Sequence, residues 1–188
     1  MHNRLGLPRS LAGLAYACAL ACTIVLSLAV SPAVQAQQSD SVEVHGAVKN
    51  SLRLAPDDLR AFPAAQIGEF TQTRRTESGE SSSTVRGVKL TAVLDRAGLA
   101  GQDNNDWKSA VVVATATDGY RVVFSWPELF NSPLGANVLV LFERDGQALA
   151  AQEGRIALIS GGDQRLGPRH VRWLRTVEIR LLSTQAKD

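Results

Sequence analysis

The pattern that most limits how this chain can fold lies near its end. From Val171 onward, Val171, Trp173, Val177, Ile179 and Leu181 fall on one face, and Arg172, Thr176, Glu178 and Arg180 on the other. That is the period-two signature of a half-buried strand, whose apolar face must be covered by another layer. Leu174 and Arg175 break the alternation. Just ahead of it, the segment 161–172 holds the densest basic cluster of the chain: Arg165, Arg169, His170 and Arg172 follow Gly161-Gly162. Delivered to the mouth of a rigid strand, such a cluster can clamp a phosphate or other small anion through charged, forked hydrogen bonds. A solvated loop and strand end is the alternative reading.

Elsewhere the patterning predicts many strands and a few short helices. Residues 42–48 alternate and read as a first strand, and 65–73 as a second. Residues 110–116 and 120–125 read as a hairpin about Asp118-Gly119, and 138–142 and 157–159 as apolar strands around the turn at Asp145-Gly146. Pro56, Asp57 and Asp58 suit the start of a short helix, while Leu90, Val93, Leu94 and Ala97 recur at helical spacing up to Gly98. A third short helix starts at Trp126. The run 76–84, TESGESSST, has the composition of a solvated loop. This order of elements implies an α+β domain.

The first 36 residues read as a signal peptide: Arg4 and Arg9, a nearly unbroken apolar run over 11–30, then Val34-Gln35-Ala36 as a cleavage site. The exported chain would then be one domain over 37–188, periplasmic or secreted; an uncleaved membrane anchor is the alternative. The segment carries two Arg and no acid, which leaves 18 Lys and Arg against 18 Asp and Glu, a formal net charge of zero. A neutral chain argues against sequence-independent nucleic-acid binding, which requires many phosphates to be neutralised at once. Both cysteines, Cys18 and Cys22, lie in the apolar run, so residues 37–188 offer no disulfide, thiolate ligand or thiol nucleophile. His45 and His170 lie far apart in sequence without a nearby acidic pair, and neither suggests a metal site. No pair of carboxylates stands out as a general acid and base.

Several motifs follow one another in a telling order. They are Val44-x-Gly46-x-Val48, Leu54-x-Pro56-x-x-Leu59, Gly87-Val88-x-Leu90 with Leu94 and Ala97-Gly98, Asp118-Gly119-Tyr120, Asp145-Gly146 and Gly167-x-Arg169-x-Val171. Together they resemble the molybdopterin-binding domain of the sulfite oxidase family. The resemblance implies a mixed β-sheet domain with a few short helices. It also implies that basic residues of the terminal segment, here Arg169, His170, Arg172 and Arg165, help bind the phosphate of a pterin cofactor. In that family a cysteine thiolate holds molybdenum, a soft ligand for such a metal. Aligning Arg74-Arg75 with the paired arginines of sulfite oxidases puts Phe70 at the ligand position. A Ser or Thr could supply oxygen instead, with no residue preferred.

The expected function is therefore an exported, non-catalytic domain that binds a pterin, molybdopterin or another small anion without molybdenum, with a periplasmic or membrane protein as a partner. Two alternatives stand beside it: a molybdopterin-dependent oxidoreductase that holds its cofactor without a cysteine, and a protein-interaction module with a vestigial pocket.

Overall fold

In the computed structural model, residues 40–76, 79–101 and 105–182 are described. The signal peptide read over 1–36 and the side chains of Arg74 and Arg75 lie outside them.

Among the described residues, two sheets and three short α-helices form the domain. The first sheet contains β1 (Val42–Gly46), β2 (Leu52–Leu54), β5 (Ala110–Ala116), β6 (Arg121–Ser125) and β11 (Leu174–Leu181), in the order β2-β1-β11-β5-β6. It is mixed, because β1 runs parallel to β11 while the other neighbours are antiparallel. The second sheet is antiparallel and contains β3 (Ile67–Thr76), β4 (Gly79–Lys89), β7 (Val138–Arg144), β9 (Ala157–Ser160) and β10 (His170–Val171), ordered β10-β9-β7-β4-β3, with β8 (Gln147–Ala148) paired to β7. The expected α+β class and mixed sheet are present.

The main core takes Val44, Val112, Val177 and Ile179 from the first sheet and Val88, Val140, Phe142 and Leu158 from the second. Helix α2 (Leu90–Ala97) adds Leu90, Val93, Leu94 and Ala97, the four residues its spacing singled out, and ends at Gly98, whose positive φ of 67° a glycine adopts without strain. A smaller cluster of Val85, Leu139, Leu141, Ala157 and Ile159, with Phe70 packed on it, covers the other face of the second sheet. Burial on both faces explains why 138–142 is apolar without alternation. Helix α1 (Pro56–Arg60) starts at Pro56 as expected, and α3 (Trp126–Phe130) is capped by Ser125, which accepts from the Glu128 amide while Glu128 accepts from the Ser125 amide.

Two expectations are corrected. Residues 79–84 are not a loop: β3 and β4 form a long ribbon paired from Ile67–Val88 to Thr76–Gly79, and hydroxyl pairs Thr71–Thr84 and Thr73–Ser82 bridge it. Nor does the terminal alternation form one strand. His170 and Val171 belong to the second sheet; Trp173 takes a left-handed φ of 48°, and Leu174 begins β11 in the first. A register shift between Leu174 and Thr176 lets Leu174 join Val177 and Ile179 in the core, which accounts for the residues that broke the pattern.

Candidate functional site

Residues 170–174 cross from one sheet to the other and form a seam at the edge of the second. A cavity of about 310 Å³ lies beside this crossing, lined by the second sheet, its connections and Arg172. One wall is the β3–β4 ribbon, with Gln72, Ser81 and Ser83; the other holds Glu153 and Gln152 from the turn after β8, together with His170 and Arg172. Arg144, at the end of β7, closes the floor.

Glu153 is buried, at 8% exposure, and organises this floor. Its carboxylate accepts from Arg144 Nε at 2.8 Å and Nη2 at 2.6 Å, a forked pair, and Oε1 lies 2.9 Å from His170 Nε2. Burial alone would raise its carboxyl, but the hydrogen bonds to His170 and Arg144 outweigh that and hold it down at about 2. The backbone is fixed as well: Glu153 O accepts from the Trp173 amide at 2.8 Å, and Trp173 Nε1 donates to Ala151 O at 3.0 Å. Gly154, at φ 86°, leaves no room for a Cβ, which would stand 2.7 Å from the Trp173 ring. The strained φ of Trp173 is thus held from both sides by the turn that carries Glu153.

The four sequence-predicted residues separate. His170 and Arg172 line the cavity. Arg172 is exposed and makes no ion pair or hydrogen bond among the described residues, so its guanidinium is open to a ligand. Arg169 is turned away from that cavity and saturated. Its Nε donates to Asp163 at 2.7 Å, Nη2 donates to the same carboxylate, Nη1 donates to Glu128 at 2.8 Å, and its guanidinium lies 4.6 Å from the centre of the Phe124 ring. It ties the loop 161–169 to α3, and the hydrogen bonds from Arg169 hold the Asp163 carboxyl below its ordinary value. Arg165 is exposed on that loop and lines neither hollow of the seam. Arg169 lies in the turn that the His170 amide closes on Gly167 O, and its bonds to Asp163 and Glu128 keep it from joining His170 and Arg172.

A second hollow, about 260 Å³, lies on the other side of Arg172 and is lined by Ala116, Asp118, Tyr120, His170 and Trp173. Asp118 accepts from the Tyr120 amide at 2.9 Å, as a turn residue should, and the Tyr120 hydroxyl donates to Pro168 O at 2.6 Å.

Sequence reasoning missed Arg144, Glu153 and Gln72. Arg144 ends an apolar strand and Glu153 stands before a glycine, ordinary positions both; the fold alone joins residues on different strands.

A family model described as the oxidoreductase molybdopterin binding domain matches residues 29–186. No curated protein matches the chain. Among solved structures, the chain is similar to the sulfane dehydrogenase SoxCD from Paracoccus pantotrophus, with a TM-score of 0.57 and 19% identity over 76% of this chain. It spans 38% of that longer chain, and at this identity the likeness speaks for the fold. The match over 29–186, with the fold it accompanies, establishes that the chain belongs to the oxidoreductase molybdopterin binding domain family, that of the sulfite oxidases.

Proposed function

We propose that this domain is an exported, non-catalytic member of its family that binds a phosphorylated pterin, or another small anion, in the seam cavity. The observation that carries the reading is Arg172: a guanidinium without a partner among the described residues, facing a polar cavity in which the other arginine, Arg144, is engaged by Glu153.

The molybdopterin implied by the family has two parts, and the residues fit them unequally. A phosphorylated pterin fits the walls: Ser81, Ser83 and Gln152 offer hydroxyl and amide partners, Arg172 offers charge, and the volume is at the lower end of that of small-molecule sites. The molybdenum centre does not fit. No thiolate exists among the described residues, and no group of His, Cys, Asp or Glu there is placed to hold a metal ion. Phe70, at the position aligned with the ligand cysteine, packs on the smaller apolar cluster instead. The apolar run before Val34-Gln35-Ala36 supports export.

Thermal stabilisation by a phosphorylated pterin, and by pyrophosphate as the simpler anion, tests the reading. A ligand at a hundredfold excess over its Kd should raise the wild-type Tm by roughly 5–10 °C. Arg172→Ala should unfold like wild type without ligand, since a surface change costs about 0.5 kcal/mol or less, and lose the response. Absence of a wild-type response to either compound, or an unchanged response in Arg172→Ala, contradicts it.

A further inference from the structure

One buried polar atom of the cavity has no partner. Gln72 sits on β3 opposite Ser83 of β4 and lines the cavity wall. Its Nε2 is buried and finds no acceptor among the described residues. The orientation of the amide follows from its neighbour: Arg144 Nη1 points to Gln72 Oε1 at 3.5 Å and donates to Ser83 Oγ at 2.7 Å. Exchanging the two ends of the amide would set an N–H against a guanidinium, so Nε2 stays on the side away from Arg144. A buried donor left unpaired is costly, and such atoms are few in native proteins.

We infer that Gln72 is a ligand-contacting residue of this cavity, and that its Nε2 donates to an oxygen of the bound anion while Arg172 supplies the charge. The inference rests on the proposed anion-binding reading and narrows it: the occupant presents an oxyanion to the β3–β4 ribbon as well as to Arg172. Arg144 acts here as a positioning residue. With Nε and Nη2 on Glu153 and Nη1 on the ribbon, it turns the Gln72 amide so that the donor end is left for the ligand. The cavity lining carries two guanidiniums against one carboxylate even with His170 neutral, which favours an anion over a neutral acceptor; Asp118 faces Arg172 from the second hollow.

The test is calorimetric titration with pyrophosphate and with a phosphorylated pterin of wild type, Gln72→Met and Gln72→Glu, with the Tm of each ligand-free protein. Gln72→Met removes the unpaired donor and keeps the bulk, so its ligand-free Tm should equal or exceed that of wild type while affinity falls about tenfold or more. Gln72→Glu should fold, with its carboxylate near Arg144, and bind neither compound. If wild type binds and Gln72→Met binds equally well, the role of Gln72 is refuted and the anion-binding reading stands. A ligand-free Gln72→Met that melts well below wild type assigns the amide to the fold and also refutes the role. If wild type binds neither compound, both readings fall.

Discussion

Glu153 is the residue on which the floor of the cavity depends, and its titration gives the most direct readout. Its carboxyl sits at about 2 in the folded protein against an ordinary 4.5. Because the folded value is depressed, the stabilisation is complete above about pH 4.5 and is lost as pH falls towards 2. The depression corresponds to a contribution on the order of 3 kcal/mol. Chemical denaturation between pH 7 and 2 should therefore show a steep acid limb in wild type and a shallower one in Glu153→Gln, which should also be less stable at pH 7 because Arg144 loses its counter-charge. An identical acid limb in the two proteins would show that the pair contributes nothing. Arg169 invites a parallel measurement. Paired to two carboxylates, it should cost about 2–3 kcal/mol on replacement by alanine, with ligand affinity little changed, whereas Arg172→Ala should do the reverse. That His170 and Arg172 share one side of the chain was legible from the alternation, and both line the cavity. Glu153 was not legible, since its partners come from β7 and β10 and only the sheet order joins them.

Among the elements, β4 shows where local composition misleads. Gly, Ser, Thr and Glu over 76–84 carry every sign of a loop, yet Thr76 ends β3 and 79–84 belong to β4. Its far end, 85–89, is fixed between β3 and β7, and pairing propagates from there through cross-strand hydroxyl contacts that composition does not register. The apolar runs of β5, β7 and β9 and the helical stripe of α2 were readable because burial demands their pattern directly. The seam was half readable: the alternation after Val171 was visible, but the turn at Trp173 that divides it between two sheets depends on Glu153 and Gly154, about twenty residues earlier in the chain. Gly87 has a reason that the sequence only hinted at. It lies at the register shift of β4, and a Cβ there would collide with the carbonyl of Val140 on β7. Gly87→Ala should therefore cost about 1–3 kcal/mol by forcing the strands apart. Equilibrium denaturation that finds the variant as stable as wild type would show that β4 and β7 can separate freely.

At the scale of the whole molecule, one architecture serves two ends. The two sheets cover each other's apolar faces, and the second sheet with the start of the crossing segment frames a polar cavity. The family's cysteine is missing from residues 37–188, while an open arginine is kept. The account's central claim is that the cavity binds an organic anion without metal. It is tested most directly by metal analysis and mass spectrometry on protein purified from its own compartment, wild type beside Arg172→Ala. The account predicts a phosphorylated pterin or similar anion that accompanies wild type and is lost from the variant, with molybdenum far below one atom per chain in both. About one molybdenum per chain in the wild type, or no anion with either protein, would contradict it.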